Sequence, residues 1–102
     1  MNKRDIKTTA RDFRKGLLGI GPPDGMCRMV SYSLQGFLSF LGVETELVEG
    51  EIVQPDFNVD HVWLKLPDGS ILDATADQFT SPGGRKMPAV YMGERPDWYK
   101  VI

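Results

Sequence analysis

The sequence predicts an α+β domain, with amphipathic helices in its first part and short antiparallel strands after them. Three observations carry this. Apolar side chains recur at helical spacing twice before Gly42, and from Val43 onward the pattern changes to short, partly alternating β-branched runs broken by turn formers. Between His61–Leu66 and Ser70–Ala74 stands Pro67-Asp68-Gly69, a strong hairpin signal.

At 102 residues the chain predicts a single domain, 1–102, with one modest core. Its 41% hydrophobic and 25% charged residues are ordinary for a globular protein, and no apolar run is long enough to cross a bilayer. The N-terminus Met1-Asn2-Lys3-Arg4-Asp5 lacks the apolar segment of a secretory signal, and a single cysteine excludes an internal disulfide. The expectation is a cytoplasmic protein, or one delivered by a signal-independent route.

In the first helix, residues 1–20, Ile6, Ala10, Phe13 and Leu17 recur at i, i+4, i+7 and i+11. Lys3, Arg4, Lys7, Arg11, Arg14 and Lys15 supply half of the chain's 12 Lys and Arg, against Asp5 and Asp12 alone. This reads as a solvated face, with contact to nucleic acid or an acidic partner as the alternative. Gly19-Ile20-Gly21-Pro22-Pro23 cannot propagate a helix and forms a loop. Asp24 is then placed to cap a second, central helix with Cys27 near its third position. Cys27, Val30, Leu34, Phe37, Leu38 and Leu41 form its buried stripe, and Gly42 ends it. Gly36, within that helix, suggests close packing against another backbone.

One or two strands follow over Val43–Val53, then a loop at residues 54–58. After the hairpin, Thr75–Phe79 reads as a turn of helix, Ser81–Lys86 as a loop, Val90–Met92 as a strand and Asp97–Tyr99 as a terminal turn against the core, with Trp98 or Tyr99 lining a cleft as the alternative. The Gly83-Gly84-Arg85-Lys86 run lacks the glycine spacing and the following Ser or Thr of a phosphate loop. One cysteine and one histidine give no metal-ligand cluster, and no cofactor is expected. Nucleic-acid chemistry lacks a motif.

A thiol in the first turn of a helix lies near unpaired N–H groups and the positive end of the macrodipole, which favour its thiolate. Such a nucleophile needs a base, and His61 is the only histidine. The base needs an orienting group, and Asp73 can supply it if the hairpin register allows. With a three-residue Pro67-Asp68-Gly69 loop, Leu66 faces Ser70 and Trp63 faces Asp73, so His61 and Asp73 share a face as diagonal neighbours about 7–8 Å apart at the backbone. A two-residue loop would put Asp73 on the other face. The bland alternatives are a buried structural cysteine, a satisfied histidine at a strand start and a capping carboxylate.

The order of a helix-start cysteine, His61-Val62-Trp63-Leu64 opening a strand and Asp68-Gly69-Ser70-Ile71-Leu72-Asp73-Ala74-Thr75 closing the next resembles the transglutaminase-like branch of the papain-like cysteine enzymes over residues 24–79. The resemblance implies a papain-like core in which Cys27 attacks an amide or thioester carbonyl of a protein or peptide, His61 is base and acid, and Asp73 orients it. A thioester intermediate follows. Where papain-like proteases carry a glutamine before the cysteine, Ile20-Gly21-Pro22-Pro23 has no side-chain donor. The oxyanion donors expected instead are the Cys27 N–H with Gln54, Gln78 or a loop N–H. Protease, glutamine deamidase, small toxin-like amidase and transglutaminase chemistry all fit. A non-catalytic binding module or inhibitor on the same scaffold is the alternative.

Overall fold

The computed structural model describes residues 1–19, 21 and 24–102; part of the expected loop after Gly19, at residues 20, 22 and 23, lies outside them. Two helices, α1 (Lys3–Leu18) and α2 (Cys27–Phe40), precede five strands: β1 (Glu46–Val53), β2 (Asn58–Lys65), β3 (Ile71–Asp73), β4 (Tyr91–Gly93) and β5 (Tyr99–Val101). The strands form one sheet in the order β4-β3-β2-β1-β5, with antiparallel neighbours throughout. The α+β class is as expected. No helix among the described residues is long and apolar enough to cross a membrane.

α1 starts where Asn2 accepts the Asp5 N–H at 2.8 Å. Ile6 and Ala10 are buried and Phe13 stacks on Phe37 of α2 at 5.1 Å, while Leu17 stays exposed. Its basic face is partly engaged by the chain itself. Arg14 donates to the Ala89 carbonyl and the Asp77 carboxylate, both at 2.7 Å, and Lys3 pairs with Asp68.

α2 begins at Cys27 with Met26 as its cap residue, so Asp24 is not the N-cap and Cys27 stands first in the helix rather than third. Val30, Leu34 and Leu38 are fully buried against β2 and α1, worth roughly 1.5–3 kcal/mol each. That packing holds the helix down; its exposed Arg28–Glu49 pair is screened by water. The helix closes with the Gly42 N–H on the Ser39 carbonyl (3.0 Å) and the Val43 N–H on that of Leu38 (2.8 Å). Gly42 supplies the positive φ of 91° for this closure. Gly36, by contrast, packs against nothing, since a Cβ built there meets no atom within 4 Å.

The sheet is buried on both faces. Residues 61–64 of β2 are all buried, because even-numbered side chains face the helices with Leu72 and Ala74, and odd-numbered ones face a second cluster of Ile52, Trp63, Ile71, Phe79 and Tyr99. The single core expected from chain length is thus two clusters divided by the sheet. Covering the second face takes Phe79 and Met87 from the irregular segment between β3 and β4, which includes the short 3-10 turn Ala76–Gln78, and Trp98 from the connection after β4. The expected turn at Asp97 and Trp98 packs against the second cluster, with the Tyr99 N–H on the Pro96 carbonyl at 3.0 Å, and runs directly into β5, paired to β1 at Gly50, Glu51 and Ile52. Gly50 is required by a close approach: a Cβ there would lie 2.2 Å from the Lys100 carbonyl and 2.3 Å from the Trp63 ring.

The β2–β3 turn is the three-residue form, with Leu66 donating to the Ser70 carbonyl at 2.8 Å and Gly69 at φ 91°. Leu64 pairs with Leu72, and continuing that register by one residue puts Trp63 opposite Asp73. His61 and Asp73 therefore share a face.

Two glycines of opposite kind give a stability test. Gly36→Ala should stabilise the fold by up to about 1 kcal/mol, because it raises helix propensity at no steric cost. Gly50→Ala should destabilise it by roughly 1–3 kcal/mol through overpacking. Urea midpoints of the two variants against the wild type check both signs.

Candidate active site

β3 stops at Asp73, and this ending builds the site. Alternation along the antiparallel ladder turns the Val62 N–H and C=O toward the side that β3 has just vacated. The start of α2 takes that place. Ser31 Oγ donates to the Val62 carbonyl at 3.3 Å, and the Val62 N–H is among the groups that lower the Cys27 thiol. The helix is thereby docked on β2 through groups that a longer β3 would have used, and the thiol is brought to the neighbouring His61.

His61 is 1% exposed, with Phe79 edge-on at 4.7 Å and Trp63 and Tyr99 about its ring. Its Nε2 lies 2.7 Å from Asp73 Oδ2, which leaves Nδ1 as the nitrogen available to Cys27. Asp73, with no exposure, accepts more than the histidine. Oδ2 also takes the Tyr99 hydroxyl at 2.6 Å, and Oδ1 takes the Thr75 N–H at 3.0 Å and the Thr75 hydroxyl at 3.3 Å. Both carboxyl oxygens of this fully buried side chain are thus occupied by hydrogen-bond partners.

These contacts set the charges of the pair. Burial alone pulls the His61 imidazole down, but its bonds to Asp73 and Cys27 outweigh burial and hold it up at about 9. Burial likewise pushes the Cys27 thiol up, yet the His61 ring and the Val62 N–H bring it below its ordinary 9.0 despite the charge of Asp73. An imidazolium beside a thiolate is the state these shifts favour. Cys27 is half-buried and opens on a cleft of about 380 Å³ bounded by Arg28, Glu49, Asp60 and Ile102. Both Cys27 and His61 line the cleft, the thiol half-buried and the imidazole almost fully buried.

The structure thus brings Cys27, His61 and Asp73 together as the hairpin register required. It does not bring the two glutamines. Gln54 donates to the Thr80 carbonyl at 2.8 Å and lines a separate groove, while Gln78 donates to Thr75 Oγ1 at 3.2 Å and supports the residue that holds Asp73. Neither lines the Cys27 cleft. The ladder of α2 starts with the Val30 N–H on the Met26 carbonyl at 2.9 Å, which leaves the earlier N–H groups of its first turn without partners in the helix beside Cys27. Tyr99 and Thr75 are additions to the site. Thr75, two residues after Asp73, follows the local pattern by which an aspartate accepts from the backbone ahead of it. Tyr99 reaches Asp73 only because β5 lies at the far edge of β1. Among the described residues no group of three or more His, Cys, Asp or Glu side chains could hold a metal ion.

The lowered thiol predicts that iodoacetamide labels Cys27 with a pH midpoint below 9.0. In His61→Ala the stabilising charge is gone while burial stays, so the midpoint should rise and labelling at pH 7 fall by about tenfold or more. A pH series on both proteins, with circular dichroism to confirm folding, checks the direction.

Compared with known proteins, the chain matches no family model, no curated protein and no solved structure.

Proposed function

We propose that the protein is a cysteine hydrolase or acyltransferase of the transglutaminase-like kind, acting on an amide or thioester carbonyl of a protein or peptide. The observation that carries this reading is the meeting of the chain's one thiol with its one histidine, the thiol lowered and the imidazole raised, at a cleft and over a buried aspartate. The order Cys27, His61, Asp73 on helix start, strand and next strand supports the transglutaminase-like branch over an unrelated thiol enzyme. A purely structural cysteine would be raised by its burial instead.

In this reading the Cys27 thiolate attacks the carbonyl carbon and negative charge passes to the oxygen. Backbone N–H groups at the start of α2 are the donors to receive it, in place of the glutamines. His61, protonated at Nδ1, gives that proton to the leaving amine, and the C–N bond breaks to leave a thioester on Cys27. Neutral His61 then takes a proton from water or from an amine as it attacks the thioester, and the thiol is released. Water gives hydrolysis or deamidation; an amine gives transamidation. Asp73 holds Nε2–H throughout and stabilises each imidazolium.

The test is turnover of peptide amides and glutamine-containing peptides, read as ammonia or amine release. Cys27→Ala should abolish it and His61→Ala reduce it by about 10²–10⁴. The acid limb of the pH profile should follow the lowered thiol, and the basic limb should fall near pH 9 as His61 loses its proton. No turnover, together with a Cys27 that labels only on unfolding, would leave a binding module on this scaffold as the reading.

A further inference from the structure

We infer that Tyr99 is a positioning residue of this site: by donating its hydroxyl to Asp73 Oδ2 it holds that oxygen on His61 Nε2 and so keeps Nδ1 directed at Cys27. The inference rests on the catalytic reading of Cys27, His61 and Asp73, and adds a residue that no motif contains.

The geometry is specific about which oxygen is used. Thr75 engages Oδ1 with both its N–H and its hydroxyl, whereas Tyr99 at 2.6 Å and His61 at 2.7 Å converge on Oδ2. A histidine and one carboxylate oxygen form a contact that can pivot, because the imidazole turns about its own side-chain bonds. A second strong donor on the same oxygen fixes the acceptor toward which Nε2 must turn. Tyr99 is itself fixed. It has no exposure, its ring lies 5.1 Å from that of Trp63 and 4.8 Å from that of Trp98, and its carbonyl accepts from Arg95. The phenol is pushed well above its ordinary value by burial and by the charge of Asp73, so it stays a donor over the pH range in which the thiol and imidazole titrate.

Packing alone would be served by phenylalanine, and the hydroxyl separates the two roles. In Tyr99→Phe, which keeps the ring, the pH midpoint for iodoacetamide labelling of Cys27 should move up by about half a unit or more, toward its position in His61→Ala. A midpoint that stays at the wild-type value, or moves down, would overturn the role of Tyr99 whatever the variant's stability. The wild-type profile separates this failure from that of the catalytic reading. A wild-type thiol that titrates ordinarily and ignores His61→Ala removes the catalytic reading, while a lowered wild-type midpoint unchanged in Tyr99→Phe removes only Tyr99. A measurement that needs no variant is the proton NMR spectrum at the His61 ring. An exchange-protected Tyr99 hydroxyl proton with a nuclear Overhauser effect to the Nε2 proton is expected. Its absence from a spectrum in which the Nε2 proton is resolved would overturn the inference.

Discussion

The site depends on one buried contact, His61 Nε2 on Asp73 Oδ2. A charged carboxylate with no exposure is costly unless every lone pair finds a donor. Here the donors come from four places in the chain: β2 through His61, Asp73's own neighbour Thr75, the last strand through Tyr99, and indirectly the 3-10 turn through Gln78 on Thr75. Satisfying Asp73 therefore ties β2, the segment after β3 and β5 together across one face of the sheet, in addition to their ladder pairing. Within that frame the imidazole has one orientation in which Nε2 is satisfied, and the other nitrogen is left for the thiol.

The ending of β3 is the second constraint. A strand of ordinary length would have continued the ladder past Asp73 and taken the backbone groups of Val62. By stopping there, the sheet leaves a vacancy at one edge of β2 that the start of α2 fills. This is how a cysteine on the helix-covered face comes to touch a histidine whose side chain belongs to the opposite one. The thiol's environment is a consequence of this topology as much as of the helix dipole, since the Val62 N–H and the His61 ring both come from the sheet.

Much of this was legible in the chain. The Pro67-Asp68-Gly69 turn carried the register, and with it the side-by-side placement of His61 and Asp73, because turn length and strand parity are local rules that packing rarely overrides. Helix periodicity likewise located Val30, Leu34 and Leu38, while Phe37 and Leu41 of the same expected stripe stay exposed. What could not be read was set by distant partners. Asp24 has the chemistry of an N-cap, but the helix starts at Cys27 because that end is docked on Val62, contacts made across the fold. Gln54 and Gln78 were plausible oxyanion donors by type alone, and their amides are used elsewhere. Gly36 suggested a close contact and has none, while Gly50, with nothing in its local pattern to mark it, lies under Trp63 and beside Lys100. Tyr99 sits in a terminal segment whose pairing with β1 has no local signal.

The distribution of these groups along the chain has a consequence for synthesis. Cys27 emerges from the ribosome well before His61 and Asp73, and Tyr99 follows later still. In the nascent chain the thiol has neither its imidazole partner nor the Val62 N–H, so it titrates as an ordinary cysteine. Nucleophilicity is acquired only when β2 and β3 pair and α2 docks on their edge, contacts of long sequence separation that form after local helices do. On the proposed reading, the growing polypeptide is thus spared a reactive thiol until the fold that half-buries it exists.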